Sequence, residues 1–379
     1  MTGTRVDLFR IPTRIHLGRG AALTVGDHLA QLGARRALLV TDRGVRAAGL
    51  LGPIEERIRA AGVAYQVYDE VVPDPGVGEV QRCFARATEH AADALVAVGG
   101  GSSIDTAKLA AVLMTNGGSV LDYVGLDRVP TAAAPVIAIP TTAGTGAEIT
   151  INSVVADPER HKKLVVISPN ATCLVALEDP GMTVSLPPFL TAITGMDTLV
   201  HAIESFCSKN AYRLTELLAL EAVRDAGWAL VRAVKDGSDL EAREAMLRAV
   251  VTASLAFSNT RLGNVHAMAL PLGGWCHVAH GTAVAVLLPH VMEYNRPAAG
   301  ERLAAVAEAL GAKRDGGAAV ERIRRLNEEI GIPPRLGPLG VTPDHVPLMA
   351  ADAMLSGNIL VNPRPSQQAD IEALYRAAL

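Results

Sequence analysis

The chain has 379 residues, more than one hydrophobic core ordinarily supports, so two domains are expected. Half of its residues are apolar (49%) but only 3% are aromatic, which points to an Ala/Val/Leu-based α/β protein and away from a β-sandwich. A net charge of −4 excludes the basic footprint of a nucleic-acid binder, and no apolar run is long enough for a membrane span.

In chain order, the N-terminal MTGTRVDLFR lacks a signal-peptide core. Residues 37–41 (ALLVT) are a short apolar run followed by a helical stretch over 54–61. A strand is expected at 63–68, a helix at 77–90, a buried strand at 94–98 (ALVAV), a helix at 104–114 and a strand at 135–139 (PVIAI). Strands that are apolar throughout and alternate with helices imply a parallel sheet covered on both faces. A hairpin follows, 149–155 and 163–167, joined by the polar turn DPERHK.

After Leu186-Pro187-Pro188 the strand signals stop. Helical periodicity runs over 189–208, 213–235, 240–258, 283–294 and 302–310, in Ala, Leu, Glu and Arg. The expected organisation is therefore an α/β domain over 1–185 and an all-helical domain over 186–379. Four cysteines, Cys83, Cys173, Cys207 and Cys276, lack a CxxC pair. That favours a reducing, cytoplasmic setting over a disulfide frame, with the first three read as buried small apolar residues.

Four residues of the helical half carry chemistry: Asp197, His201, His266 and His280. Asp197 and His201, at i and i+4 in GMDTLVHAIES, lie one turn apart on one helix face. His266 and His280 are expected at the ends of neighbouring helices. Any one of these histidines alone is as well explained as a packed core side chain. Together, three imidazoles and a carboxylate in apolar surroundings need a shared partner, and a divalent ion supplies one. One oxygen and three nitrogens suit Zn²⁺ or Fe²⁺ and leave a position open for a substrate oxygen.

The first half carries candidate dinucleotide contacts. Gly99-Gly100-Gly101-Ser102 follows a buried strand and opens a helix, so its backbone N–H groups suit a pyrophosphate. It is not a G-x-G-x-x-G fingerprint, since Ile104 holds the last glycine position, and Ser102 with Asp105 also fits a helix-capping pattern. Asp42, just after the first strand, suits the hydroxyls of an adenosine ribose or, equally, a helix N-cap. Thr141, Thr142 and Thr145 in PTTAGTG offer hydroxyls beside glycines, as an ordinary Thr/Gly turn also does.

Taken in order, these segments resemble the iron-containing (group III) alcohol dehydrogenases. The matching segments are VTD (40–42), VPDP (72–75), GGGSSIDTAK (99–108), IPTTAGTGAE (139–148), LPP (186–188), TAITGMDTLVHAIE (191–204), SNTRLGNVHAMALPLG (258–273), HGTAVAVLLPHVMEYN (280–295) and NPRP (362–365). The resemblance implies an N-terminal α/β dinucleotide domain, a helical C-terminal domain and a cleft between them. It also implies Fe²⁺ or Zn²⁺ on Asp197, His201, His266 and His280. NAD(P) contacts are implied at Asp42, Gly100, Gly101, Ser102, Thr141, Thr142, Thr145 and Lys163. The activity implied is reversible interconversion of small alcohols with aldehydes or ketones by a homodimer or higher homo-oligomer, with no nucleic-acid or membrane partner.

Two departures stand out. Many members read HAMAHPLG where this chain reads HAMALPLG, so Leu270 replaces a cleft histidine associated with proton movement. His277, three residues before His280, is the candidate to take that role, as a catalytic proton relay or through a water chain. Asp74 stands in PDP where members carry Asn, and an extra acid near the cofactor favours NAD over NADP. Asp105 is kept with the cofactor-binding candidates of the glycine segment. Competing readings are an NAD- and metal-using lyase or cyclase of the dehydroquinate synthase type, a maleylacetate reductase-like or hydroxyacid dehydrogenase activity, a metallohydrolase, and a non-catalytic metal protein. The last two leave the glycine and threonine loops without a role.

Overall fold

The computed structural model describes residues 6–157 and 162–379, so the centre of the expected DPERHK turn lies outside the described residues. The first half runs β1 (Arg14–Leu17), α1 (Val25–Gln31), β2 (Arg36–Val40), α2 (Arg43–Ala47), α3 (Leu51–Ala60), β3 (Ala64–Tyr68), α4 (Val77–Glu89), β4 (Ala94–Gly99), α5 (Gly101–Asn116), β5 (Gly125–Leu126), β6 (Val136–Pro140), β7 (Asn152–Asp157), β8 (Lys162–Ile167) and β9 (Val175–Glu178). Six strands form a parallel sheet in the order β1-β9-β6-β4-β2-β3.

The apolar strands follow from the sheet's two covered faces. Leu38 and Val40 of β2, Leu95 and Ala97 of β4, and Val136 and Ala138 of β6 enter the core under α4 and α5. Their alternates, Ala37, Leu39, Val96, Val98, Ile137 and Ile139, enter the core under α1 and α3. Because successive strand residues face opposite ways, each must be apolar when both faces are covered. Full burial of one Val, Leu or Ile side chain is worth about 1.5–3 kcal/mol.

Two strands of this sheet escape the sequence signals. β1 (RIHL) lies at an edge and is largely exposed, so it carries no apolar pattern, yet its register on β9 is unbroken from Arg14↔Val175 to Leu17↔Glu178. β9 is only four residues long. The hairpin is present as β7 and β8, antiparallel, with β5 as a third strand. β7 begins at Asn152 rather than 149, because the N–H groups of Ile149 and Thr150 both turn back to the Gly146 carbonyl.

The second half is helical among the described residues: α6 (Pro188–Cys207), α7 (Arg213–Lys235), α8 (Leu240–Thr260), α9 (Asn264–Cys276), α10 (His280–Ala309), α11 (Gly316–Glu329), α12 (Val346–Ala353) and α13 (Gln368–Ala378). It surrounds a separate core rich in alanine, which lets α6, α7, α8 and α10 pack closely. The two expected stretches over 283–294 and 302–310 lie within α10 on either side of a kink just beyond Pro297, where Ala299 (φ −127°, ψ 22°) leaves the helical conformation. α9 went unassigned because Pro271 and a Gly-Gly pair interrupt its pattern. No described helix is long and apolar enough to cross a membrane. Cys83, Cys173 and Cys207 are buried and unpaired, as expected, and burial pushes the Cys173 thiol up to about 12.

Candidate metal and dinucleotide site

The chain leaves β2 and β4 at a switch point of the sheet: β3 continues to one side of β2, while β6 and β9 continue from the other side of β4. Ligands of open parallel sheets bind in the crevice at such a point, beyond the strands' carboxyl ends. Asp42 and the Gly99–Gly101 turn face each other across it. A Cβ on Gly99 would stand 3.6 Å from Asp42 Oδ2 and 2.5 Å from Ser103 Oγ, and its φ of +156° also requires glycine. Asp42 is the N-cap of α2, its Oδ1 accepting the Val45 N–H at 2.9 Å, so the capping role is realised there.

The Ser102–Asp105 capping pattern is not realised. α5 starts two residues earlier than that pattern implies, with Gly100 as N-cap and no side-chain cap on its first N–H groups. Those groups are left for an anion at the helix's positive end. The Thr loop closes over the turn. A Cβ on Gly101 would approach Thr145 Oγ1 to 2.9 Å, and one on Gly100 would lie 3.4 Å from Thr142. Thr141 is buried at the end of β6. Asp105 turns inward instead: its Oδ2 accepts the Val154 N–H at 3.1 Å and its Oδ1 lies 3.8 Å from Lys108 Nζ. Burial pushes its carboxyl up to about 6, against the attraction of Lys108.

Lys108 is fully buried and donates to the carbonyls of Ala147 (2.9 Å), Thr150 (3.0 Å) and Asn152 (2.5 Å). It ties α5 to the end of the Thr loop, a role not foreseen from the sequence. Lys163, on β8, pairs with Asp74 at 2.6 Å, and its Nζ lies 3.2 Å from where a Cβ on Gly273 of α9 would be. Asp74 adopts φ +51°, a left-handed conformation that Asp tolerates.

The Thr loop also touches the metal helix. Thr198 Oγ1 of α6 donates to the Ala143 carbonyl at 3.1 Å, and a Cβ on Gly144 would meet Thr194 at 2.8 Å. One turn along, Asp197 and His201 are both buried. Oδ1 of Asp197 lies 3.8 Å from Nε2 of His201, 3.4 Å from Nε2 of His266 and 3.5 Å from Nε2 of His280. His266 sits in the first turn of α9, and His280 is the first residue of α10. Gly281 must be glycine because the Ile193 backbone of α6 occupies its Cβ position, which brings His280 against α6. Asp197, His201 and His266 are buried, and their ligand atoms lie within 4.8 Å of one another. His201 stacks on Phe257 and on His266, at centroid distances of 4.3 and 4.4 Å.

The electrostatics match a cation site. Asp197 Oδ1 and His266 Nε2 are buried without any hydrogen-bond partner. Burial opposes ionisation of Asp197, but His201, His280 and His266 outweigh it and hold its carboxyl well below the usual range. Burial pushes His201 down to about 3. It pushes His266 the same way, but the facing carboxylates of Asp197 and Glu204 prevail and raise it to about 9. One oxygen and two nitrogens buried together, with the half-buried His280 3.5 Å from the same oxygen, fit Fe²⁺ or Zn²⁺.

Two further residues deserve placement. Leu270, half-buried, follows His266 by one turn on the same face of α9. His277 is exposed at the C-cap of α9 with φ +55°, and it is not one of the imidazoles around Asp197. Sequence reasoning missed Glu204, which lies three residues after His201 and binds His266. The i, i+3 spacing from a ligand was the available signal.

A parallel sheet with an uncapped glycine turn at its switch point, facing a helical bundle that gathers a carboxylate and three imidazoles, defines a metal-dependent dinucleotide oxidoreductase. The chain belongs to the iron-containing alcohol dehydrogenase family: that family's model matches residues 12–180, and the model of its C-terminal part matches 191–379. It is 39% identical to the NAD-dependent methanol dehydrogenase of Bacillus methanolicus, over 98% of this chain and 99% of that one. It is 38% identical to the lactaldehyde reductase of Escherichia coli K12, over 95% and 96% of the two chains. The crystal structure of a 1,3-propanediol oxidoreductase superposes with a TM-score of 0.95 at 38% identity, covering 99% of this chain and all of that one.

Proposed function

We propose that the chain catalyses reversible hydride transfer between NAD(H) and a small alcohol/aldehyde or alcohol/ketone pair, with a divalent ion on Asp197, His201, His266 and His280. The observation that carries this reading is the convergence of three imidazole Nε2 atoms on one unpartnered carboxylate oxygen. A divalent ion there supplies Lewis acidity toward the substrate oxygen, and the nicotinamide carries the hydride.

The chain's own residues bind, orient and exclude water. The N–H groups opening α5 at Gly100, Gly101 and Ser102 receive the pyrophosphate, and Asp42 receives the ribose hydroxyls. Thr141, Thr142, Thr145 and Lys163 line the path from that turn toward α6 and α9, where the metal ligands stand. Asp42 repels a 2′-phosphate, which favours NAD. Asp74 contributes less than its charge suggests, because Lys163 neutralises it at 2.6 Å. Leu270 presents an apolar wall with no proton to give, and His277 is the candidate relay between the site and solvent.

Family membership supports Fe²⁺, and the same donors accept Zn²⁺. The unpaired cysteines support a reducing, cytoplasmic setting. Methanol, lactaldehyde and 1,3-propanediol, named for the relatives, frame a first substrate panel. The test is nicotinamide absorbance during steady state with Fe²⁺- or Zn²⁺-loaded protein, NADH and a panel of small aldehydes and ketones. Carbonyl-dependent NADH oxidation that disappears on chelation is expected, and its absence across the panel overturns the reading.

A further inference from the structure

Glu204 is 6% exposed and lies on the same face of α6 as Asp197 and His201. Its partners are two backbone N–H groups and one imidazole nitrogen. Its Oε1 accepts the Val265 N–H at 2.6 Å. Its Oε2 lies 2.7 Å from Nδ1 of His266 and accepts the His266 N–H at 3.4 Å. The start of α9 is thereby tied to α6. A Cβ on Gly263 would press on Glu204 Oε1 at 2.8 Å and on Asn362 Oδ1 at 3.0 Å, so glycine is required for this approach.

Asn362, from the NPRP segment, braces the same turn. Its Oδ1 accepts the Asn264 N–H (3.2 Å) and Asn295 Nδ2 (3.2 Å), while its Nδ2 donates to Asn295 Oδ1 (2.8 Å) and the Arg364 carbonyl (2.7 Å). The opposite nitrogen of His266, Nε2, faces Asp197 Oδ1 at 3.4 Å with no hydrogen bond of its own.

We propose that Glu204 is a positioning residue for the metal centre: by offering only acceptors to His266, it keeps the ring's proton on Nδ1 and directs the Nε2 lone pair at the ion shared with Asp197. This rests on the metal reading above. A site with donors on both sides requires two acceptors, which a carboxylate has and an amide lacks. In a Glu204→Gln protein the side chain keeps one acceptor, and its NH₂ must confront either the Val265 N–H or the His266 Nδ1–H. Relief comes when His266 moves its proton to Nε2, the nitrogen that must be bare to bind metal. Carboxylate partners of this kind are worth about 10–100-fold in metal affinity.

The experiment measures Zn²⁺ and Co²⁺ dissociation constants by chelator competition for wild type, Glu204→Gln and Glu204→Asp, with NADH affinity and thermal midpoint alongside. Aspartate keeps two acceptors at shorter reach; glutamine keeps the size but not the acceptors. The expected order of metal affinity is wild type, then Asp, then Gln, with Gln reduced about 10–100-fold and NADH affinity unchanged. A packing role alone gives the reverse order, and Gln binding metal as well as Asp or better overturns the proposal. If both variants fail to fold, ¹⁵N-histidine spectra of the Zn²⁺-loaded wild type decide. A proton on His266 Nδ1 upholds the proposal and a bare Nδ1 ends it. A wild-type chain that binds neither metal overturns the metal reading itself, which separates the two failures.

Discussion

Oδ1 of Asp197 and Nε2 of His266 stand 3.4 Å apart, both buried and both without a hydrogen-bond partner. Leaving two such atoms unsatisfied is costly unless a ligand completes them. His266→Ala is therefore expected to lose bound metal and to lower turnover by about a hundredfold or more, since Lewis-acid assistance supplies several kcal/mol. NADH binding should persist, because none of the proposed cofactor contacts lies on α9. Metal analysis with fluorescence titration of NADH checks this, and a variant retaining one equivalent of tightly held metal counts against the site.

The proposed preference for NAD assigns cofactor choice to Asp42 and Asp74. Asp42→Gly sacrifices only an N-cap side chain, which costs a few tenths of a kcal/mol, so the fold should persist. The ratio of kcat/KM for NADH over NADPH should fall by about tenfold, equivalent to about 1.4 kcal/mol. Asp74→Asn removes a charge without disturbing a left-handed backbone that Asn also tolerates, and it frees Lys163 for an extra phosphate. A further fall in the same ratio is expected. Wild type that already uses NADPH as well as NADH refutes this assignment.

The relay role proposed for His277 is best tested with Asn, because φ is +55° there and alanine adds backbone strain. His277→Asn is expected to lower kcat by about tenfold or more and to flatten its pH profile, with metal content unchanged. Turnover within about twofold of wild type at every pH reduces His277 to an exposed helix cap.

Lys108→Met strands the carbonyls of Ala147, Thr150 and Asn152 and leaves Asp105 without its cation. A loss of about 3 kcal/mol or more in urea unfolding is expected, with a raised KM for NADH as the Thr loop loosens. Stability within about 1 kcal/mol of wild type would mean that solvent or a rearranged loop replaces the ammonium.

Glu148, at the end of the Thr loop, and Glu178, at the end of β9, form a buried pair. Burial pushes Glu148 up to about 7; burial and the charge of Glu148 raise Glu178 well above the ordinary range. Folded carboxyls with raised pKa hold protons that the unfolded chain has released. Their contribution to stability is therefore complete below about 4.5 and is lost as pH rises toward 7 and beyond. Urea unfolding of wild type from pH 5 to 8 should show that decline, and Glu178→Gln should make it shallower. An identical slope in the two proteins removes the pair as its source.

Much of the architecture could be read directly from residue order. β2, β4 and β6 were visible because alternate residues serve two cores, which forces unbroken apolar runs. α6, α7 and α8 were visible because their periodicity is long and no proline interrupts it beyond the first turn. β1 was not, since an exposed edge strand needs no apolar residue. α9 was not, since Pro271 and the following glycines disguise a helix that tertiary packing nevertheless stabilises. The capping pattern at Ser102 and Asp105 misled for a related reason: Asp105 finds a better partner in the Val154 N–H, which is remote in sequence, and in Lys108 one turn further along α5.

The sequence alone determined the types of donor and one spacing: Asp197 and His201 share a helix face by the geometry of 3.6 residues per turn. Convergence was decided only by tertiary structure. His266 and His280 reach Asp197 because α9 is tied to α6 through Glu204 and because Gly281 lets α10 rest on the Ile193 backbone. Asp42 meets Gly99 because parallel pairing sets β2 beside β4. Local spacing places side chains within one helix or strand; the distance between elements is fixed by the packing of all of them together.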